Sequence, residues 1–324
     1  DFYYQGLGAD SRARTNQTDL DQTDLNRTSV LSETTLNFKK VIGNHDISAV
    51  VGYELQNTYF KGTALRGTNV PFSDIINYDL LDPADITVTE RDETRSRNSV
   101  FGRIQYAYDD RYLASVSLRN DGDSRFGANN RRSSFPAISL GWNAHNEAFW
   151  DSELLSLLKL RISTGSLGTT SFLNSYDAIS LLNPAPSIYG TAFLLSENAN
   201  NPDLTWQTNT ETNYGIDLGF VNNRFRLSVD YYTSDIEDML IQLSQPISFT
   251  GFPSRIVNGG DITSSGLEFE FSAGVVQSEN FNWDLNFNLS TVKTEITDLN
   301  GLDELPQQQY GQSGRGPVFR NYVG

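Results

Sequence analysis

Side chains able to do covalent or metal chemistry are scarce in this chain. It has no cysteine and only two histidines, His45 and His145. Thiolate nucleophiles, disulfides, Cys-ligated zinc and histidine relays therefore have almost no material. The densest polar run is Asp121-Gly-Asp123-Ser-Arg125. Its paired carboxylates suggest an acid/base couple or a calcium loop. Asp-Gly-Asp is also turn chemistry, in which the side chains hydrogen-bond local backbone, and the twelve-residue ligand spacing of a calcium loop is missing. Gly165-Ser-Leu-Gly168 and Gly259-Gly260 are followed by neither a lysine in register nor a helix, so they read as strand-end bends, not phosphate cradles. No catalytic residue, metal ligand or cofactor is expected.

Binding is better supplied. Aromatic rings sit in Gly-, Pro-, Asn- and Ser-rich connections at Tyr78, Phe126, Tyr189, Phe249 and Phe252, where a ring offers a stacking face to a ligand and neighbouring Asn, Asp and Arg offer hydrogen bonds. The competing reading has these rings packing loops against each other or against a partner. Trp206 is the poorest candidate, because Asn201-Pro-Asp-Leu-Thr-Trp206 reads as a structural strand start. Arg103, Arg119, Arg161 and Arg226 share one strand face with Asp217, Asp230, Glu268 and Glu270, and pairing with those acids is favoured over lining a path. The 24 basic and 40 acidic side chains give a net charge of −16. That balance disfavours nucleic acid and suits a neutral or cationic ligand better than an anionic one.

The elements that carry these residues are strands. Phe281, Trp283, Leu285, Phe287 and Leu289 alternate without fault with Asn282, Asp284, Asn286 and Asn288. Upstream, Leu267, Phe269, Phe271 and Ala273 alternate with Glu268, Glu270 and Ser272, completing a hairpin. The pattern recurs across Tyr214 to Phe220 and Phe225 to Tyr231 with a turn at Asn222-Asn223. It recurs across Gly102 to Tyr108 and Tyr112 to Leu118 with a turn at Asp109-Asp110, and across Leu36 to Leu55 with a turn at Gly43-Asn44. Residues 134–143 and 157–168 make less regular strands. Adding one near residues 1–10 gives about eleven. Short turns alternate with long connections near 60–97, 120–134, 168–205, 234–262 and from 293 onward, while 144–156 is intermediate and has room for a helical turn. Strands of about ten alternating residues, short turns at one end and long loops at the other predict an all-β, antiparallel transmembrane β-barrel. Tyr, Phe and Trp near the short turns suit the lipid headgroup level. A soluble β-sandwich alternates too, but lacks the loop asymmetry and the large aromatic face.

Several segments resemble the SusC/RagA family of TonB-dependent outer-membrane transporters. They are Arg111 to Gly127, Phe135-Pro-Ala-Ile-Ser-Leu-Gly-Trp142, Leu158 to Gly165, Asn201 to Trp206, Tyr214 to Phe220, Val229-Asp-Tyr-Tyr232 and Asn258 to Glu268. The resemblance covers nearly all of residues 1–324 and is weakest at 1–30 and 60–97. It implies a bacterial outer-membrane barrel of about 22 strands at full length, of which this chain is a part lacking the signal peptide, plug, TonB box and final strands. It further implies import of oligosaccharides, or in some members peptides, under a SusD-like lipoprotein lid and driven by TonB–ExbB–ExbD, with no enzymatic activity. A siderophore or vitamin receptor, or a soluble carbohydrate-binding domain or adhesin, is the alternative.

Overall fold

A computed structural model describes residues 2–4, 20–69, 78–171, 173–180, 182–185, 193–196, 199–244, 254–299 and 301. Its strands are β1 (Phe2–Tyr4), β2 (Leu20–Ile42), β3 (His45–Gly67), β4 (Ile86–Tyr108), β5 (Tyr112–Asp123), β6 (Arg132–Asn143), β7 (Leu155–Thr169), β8 (Leu182–Ala185), β9 (Phe193–Ser196), β10 (Gln207–Phe220), β11 (Phe225–Glu237), β12 (Leu240–Ser244), β13 (Ser254–Asn258), β14 (Asp261–Gln277) and β15 (Asn282–Asp298). One eleven-stranded sheet takes the order β1-β2-β3-β4-β5-β6-β7-β10-β11-β14-β15, matching the expected count. The pairs β8–β9 and β12–β13 are small hairpins inside long connections. The chain divides into two compact units, Asp1–Ser32 with Leu55–Ser96, and Glu33–Glu54 with Arg97–Gly324. No helix among the described residues is long and apolar enough to cross a membrane.

In the larger unit the register turns alternation into continuous rows. Tyr106 pairs Ala114, which pairs Leu140, then Ile162, Tyr214, Tyr231 and Leu267 across seven strands. The next row runs Tyr108, Tyr112, Trp142, Leu160, Ile216, Val229, Phe269 and Leu289. Leu140 and Phe287 are each 51% exposed. Apolar rows this extensive are far beyond the patches that soluble monomers leave in water, and they suit lipid. Intervening residues on the opposite face are small or polar: Gln105, Ser115, Ser139, Ser163 and Asn213 form one row.

The tight turns form as their sequences demand. Asp109 and Asp110 have φ of 54° and 52°, a consecutive left-handed pair that Asp tolerates and that turns the chain within the three-residue connection 109–111, closed by Arg111 N donating to Tyr108 O at 2.9 Å. At the next turn Val221, Asn222 and Asn223 take φ of 52°, 56° and 61°. A β-branched residue is costly there; Val221 is held by its N–H donating to Leu154 O at 2.9 Å and its carbonyl accepting from Arg224 N at 3.1 Å. The intermediate connection contains a single 3-10 turn, Ala144–Asn146.

The smaller unit corrects the loop expected at 60–97. β3 continues to Gly67 and β4 begins at Ile86, so the connection is only 68–85, and β2, β3 and β4 each reach 23 residues. Their outer lengths are polar on both parities, as at Thr23, Asp24, Asn26, Arg27 and Thr28. The apolar signal therefore stops where the backbone ladder, which needs only a neighbouring strand, does not. Similarly β5 runs on to Asp123 and β7 to Thr169. Asp121 to Asp123 and the glycines at 165 and 168 thus lie within strands, while Ser124 and Arg125 form a turn in which Arg125 N donates to Asp123 Oδ1 at 3.0 Å, and Gly260, at φ 140°, sits in the turn between β13 and β14.

Candidate functional site

The long connections of the larger unit converge on a small interior. Phe126, Phe135, Leu173, Ala178, Leu204, Trp206 and Leu240 form one buried cluster, with Ile256 packed against it. The Phe126 and Trp206 rings lie 4.4 Å apart, and Phe135 meets Trp206 edge-on at 5.5 Å. Gly168 makes room for this: a Cβ there would stand 2.1 Å from the Phe135 Cζ and 2.8 Å from the Trp206 Cε3.

Polar ties lace the same loops. Arg125 grips Asp123 through Nε to Oδ1 at 3.0 Å and Nη2 to Oδ2 at 2.7 Å, and its Nη1 donates to Thr170 O at 2.9 Å. Arg125 Nη2 also reaches the Thr170 hydroxyl. Asn258 brackets Thr205, accepting from its N–H at 2.9 Å and donating to its carbonyl at 2.8 Å. Asn201 donates to Ile256 O at 2.9 Å. Apart from the Arg125–Asp123 pair, each tie binds a segment near one connection to a segment near another.

Phe126 is 1% exposed, so it offers no face to a ligand; its expected stacking role is replaced by a packing one. Trp206, also 1% exposed, has the structural role its sequence context suggested. Tyr78, in the smaller unit, is half-buried, and its hydroxyl lies 3.1 Å from Leu20 O and 2.9 Å from Leu65 O, stapling its loop to β2 and β3. Burial, with Asp21 nearby, raises its pKa. Tyr189, Phe249 and Phe252 lie outside the described residues.

On the polar face, Arg161 is the centre of an ion-pair network. It holds Asp217 through Nε and Nη2, both at 3.1 Å, and reaches Asp230 Oδ2 at 2.7 Å, while Ser228 Oγ donates to Asp217 Oδ1 at 2.7 Å. This is the pairing expected from shared parity. Arg119 pairs instead with Asp121 at 2.6 Å and Glu54 at 3.1 Å, and Asp121 also meets Arg97 at 3.5 Å. Arg103 donates to Ser115 Oγ at 3.2 Å. Arg226, Glu268 and Glu270 enter no ion pair among the described residues. No group of three or more acids and histidines among those residues is placed to hold a metal.

One functional contact escaped the sequence. Glu147, in the connection after β6, accepts from Tyr112 Oη at 2.6 Å and Trp142 Nε1 at 3.0 Å with Oε1, and from Arg111 Nη1 at 3.1 Å with Oε2. The hydrogen bonds from Tyr112 and Trp142, then Arg111, hold its carboxyl below the ordinary range. It fixes two amphipathic rings at the short-turn end, where headgroup-level anchors belong. Only the register, which sets Tyr112 opposite Trp142, reveals it.

A two-faced antiparallel sheet, apolar outside and polar inside, with short turns at one end and long packed loops at the other, is the wall of an outer-membrane barrel. Residues 1–315 match the family described as TonB dependent receptor-like, beta-barrel, and the chain belongs to that family. It is 31% identical over 278 residues to the TonB-dependent receptor SusC of Bacteroides thetaiotaomicron, covering 82% of this chain and 27% of that protein. With the TonB-dependent receptor P3 of Formosa agariphila it shares 30% identity over 287 residues, covering 86% and 28%. The chain thus spans little more than a quarter of the curated relatives it matches. The structure reported as that of the RagAB peptide transporter superposes with a TM-score of 0.81 over 96% of this chain and 34% of that one, at 24% identity.

Proposed function

We propose that this chain is wall and loop structure of an outer-membrane importer of oligosaccharides that works with a SusD-like lipoprotein and is energised through TonB–ExbB–ExbD. The observation that carries the reading is the coincidence, in one unit, of continuous apolar rows for lipid and a tied loop assembly. The apolar rows make the sheet a wall, and the assembly offers a firm rim for capture. Ligand is held between loops and lid, with Tyr189, Phe249, Phe252 and the exposed part of Tyr78 as contacts, and released inward when a plug elsewhere in the full-length protein is displaced. No chemical conversion of the ligand is proposed, since the carboxylates at Asp121, Asp123 and Asp217 are all engaged by arginine. Peptide import is the second reading, favoured by the likeness to a structure titled a peptide transporter.

Uptake by cells decides between them. Deleting the full-length gene is expected to abolish uptake of one class of labelled oligosaccharides, and collapse of the proton-motive force is expected to do the same. Loss of peptide uptake alone would transfer the assignment to the second reading. Release of the full-length protein from membranes by carbonate without detergent would sink the barrel itself.

A further inference from the structure

In the smaller unit three arginines surround one ring. The guanidinium carbons of Arg27 on β2, Arg91 on β4 and Arg95 on β4 lie 5.5, 4.9 and 4.7 Å from the centroid of Phe60 on β3. The Glu93 carboxylate faces two of them: Arg91 donates to it at 2.6 and 3.2 Å, and Arg95 approaches to 3.8 Å. Arg27 is exposed on the same face, and Arg91 and Arg95 keep 40% and 25% of their side chains in solvent. Each cation–π contact at such exposure is worth about 0.5–1 kcal/mol, which offsets only part of the mutual repulsion of three guanidinium groups. On a chain of net charge −16, this local reversal of sign is an attractor for anions.

Two residues along the same strands the chemistry changes to hydroxyl and amide. Ser29 and Thr58 hydroxyls lie 3.2 Å apart, and Gln56 Nε2 donates to Ser29 Oγ at 3.3 Å. By alternation Ser29 shares the face of Arg27, and Gln56 and Thr58 share that of Phe60. Lys61 and Asp92, on the opposite parity, pair with each other at 3.9 Å and leave the cluster's charge unaltered. Guanidinium forks fit planar or tetrahedral oxyanions bidentately, and the neighbouring hydroxyl and amide groups supply both donors and acceptors for the hydroxyls of a polyhydroxylated chain.

We propose that Arg27, Arg91 and Arg95, gathered on Phe60, form a binding site for the carboxylate or sulfate of an acidic oligosaccharide, with Ser29 and Gln56 receiving its hydroxyls and the buried Thr58 holding Ser29 in place. This deepens the import reading and rests on it. It also revises the ligand charge inferred from composition, because net charge averages over a surface on which these arginines are concentrated.

Binding to the purified full-length protein in detergent tests the site, with hexagalacturonate, a sulfated carrageenan tetrasaccharide, neutral maltohexaose and hexaglutamate as probes. Expected is at least tenfold tighter binding of one anionic sugar than of maltohexaose, weakening as salt rises. The triple variant Arg27→Ala, Arg91→Ala, Arg95→Ala loses that tenfold preference and its salt dependence while maltohexaose binding stays unchanged. Should the triple variant fail to show the native heat-modifiable mobility, Arg27→Ala alone decides, with an expected loss of threefold or more. Equal binding of anionic and neutral sugars, no binding of either anionic sugar, or an unaltered preference in the folded variant overturns the site. Tighter binding of hexaglutamate than of both anionic sugars overturns its assignment to carbohydrate. Import itself is judged separately by cellular uptake, so a failed preference with intact uptake discards the site and keeps the transporter.

Discussion

Two regions of the larger unit use apolar residues in opposite ways. Along β4 to β15 they point away from the protein and remain exposed, because lipid is the phase they meet. In the loop assembly around Trp206 they turn inward and leave almost no surface, because the phase outside is water. The same residue types are therefore placed by solvent in one region and by each other in the other. A lipid-facing leucine should tolerate exchange for another apolar residue. A ring in the loop cluster should not.

The sharpest break of this contrast is at Trp206. Trp206→Ala should cost about 3–5 kcal/mol in the stability of the loop assembly, since it empties a cavity against Phe126 and Phe135. Faster proteolysis between residues 170 and 206 in the folded full-length protein would register it, and unchanged cleavage would refute the shared core. Next is Leu140→Arg in the middle of the apolar stretch of β6, expected to cost about 2–4 kcal/mol of unfolding free energy in a bilayer. Ser139→Arg, one residue away on the polar face, should stay within about 1 kcal/mol by the same denaturant titration. Equal costs would mean that the faces are misassigned. A smaller effect, about 1 kcal/mol, is expected for Asp217→Asn, because Arg161 keeps Asp230 and the pair is partly exposed. Double-mutant cycles with Asp230→Asn would measure it.

The smallest effect separates the two ends of the strands. Glu147 has a folded-state pKa below its unfolded value, chiefly through Tyr112 and Trp142, so its contribution is present above the ordinary carboxylate range and lost as pH falls through the depressed value. Glu147→Gln should lower the neutral plateau slightly and flatten that acid limb in pH-dependent unfolding, so that the two proteins converge at low pH. An identical acid limb in both proteins would show the clamp to be idle.

The sheet was legible where one parity met lipid. The hairpins at Asp109-Asp110 and Asn222-Asn223 stand where alternation and turn chemistry placed them. Illegible were the outer lengths of β2, β3 and β4, where both faces are wet and the pairing leaves no hydropathy signal. The loop site divides similarly. Trp206 announced its role through a Pro-Asp-Leu-Thr context, but Phe126 in its Gly- and Asn-rich segment looked like an exposed ring, since the partners that bury it lie about 80 residues away in sequence. The arginines about Phe60 come from the two strands that flank its own, and Glu147 meets Tyr112 from 35 residues off, contacts that only register creates.

Gly168 leaves less than a methyl group of room between Phe135 and Trp206. The three positions therefore behave as one inherited unit. Any side chain appearing at residue 168 in a descendant of this chain must arrive together with a smaller ring at 135 or 206. Among homologues, variation at these sites should be joint or absent, a correlation that sequencing alone can look for.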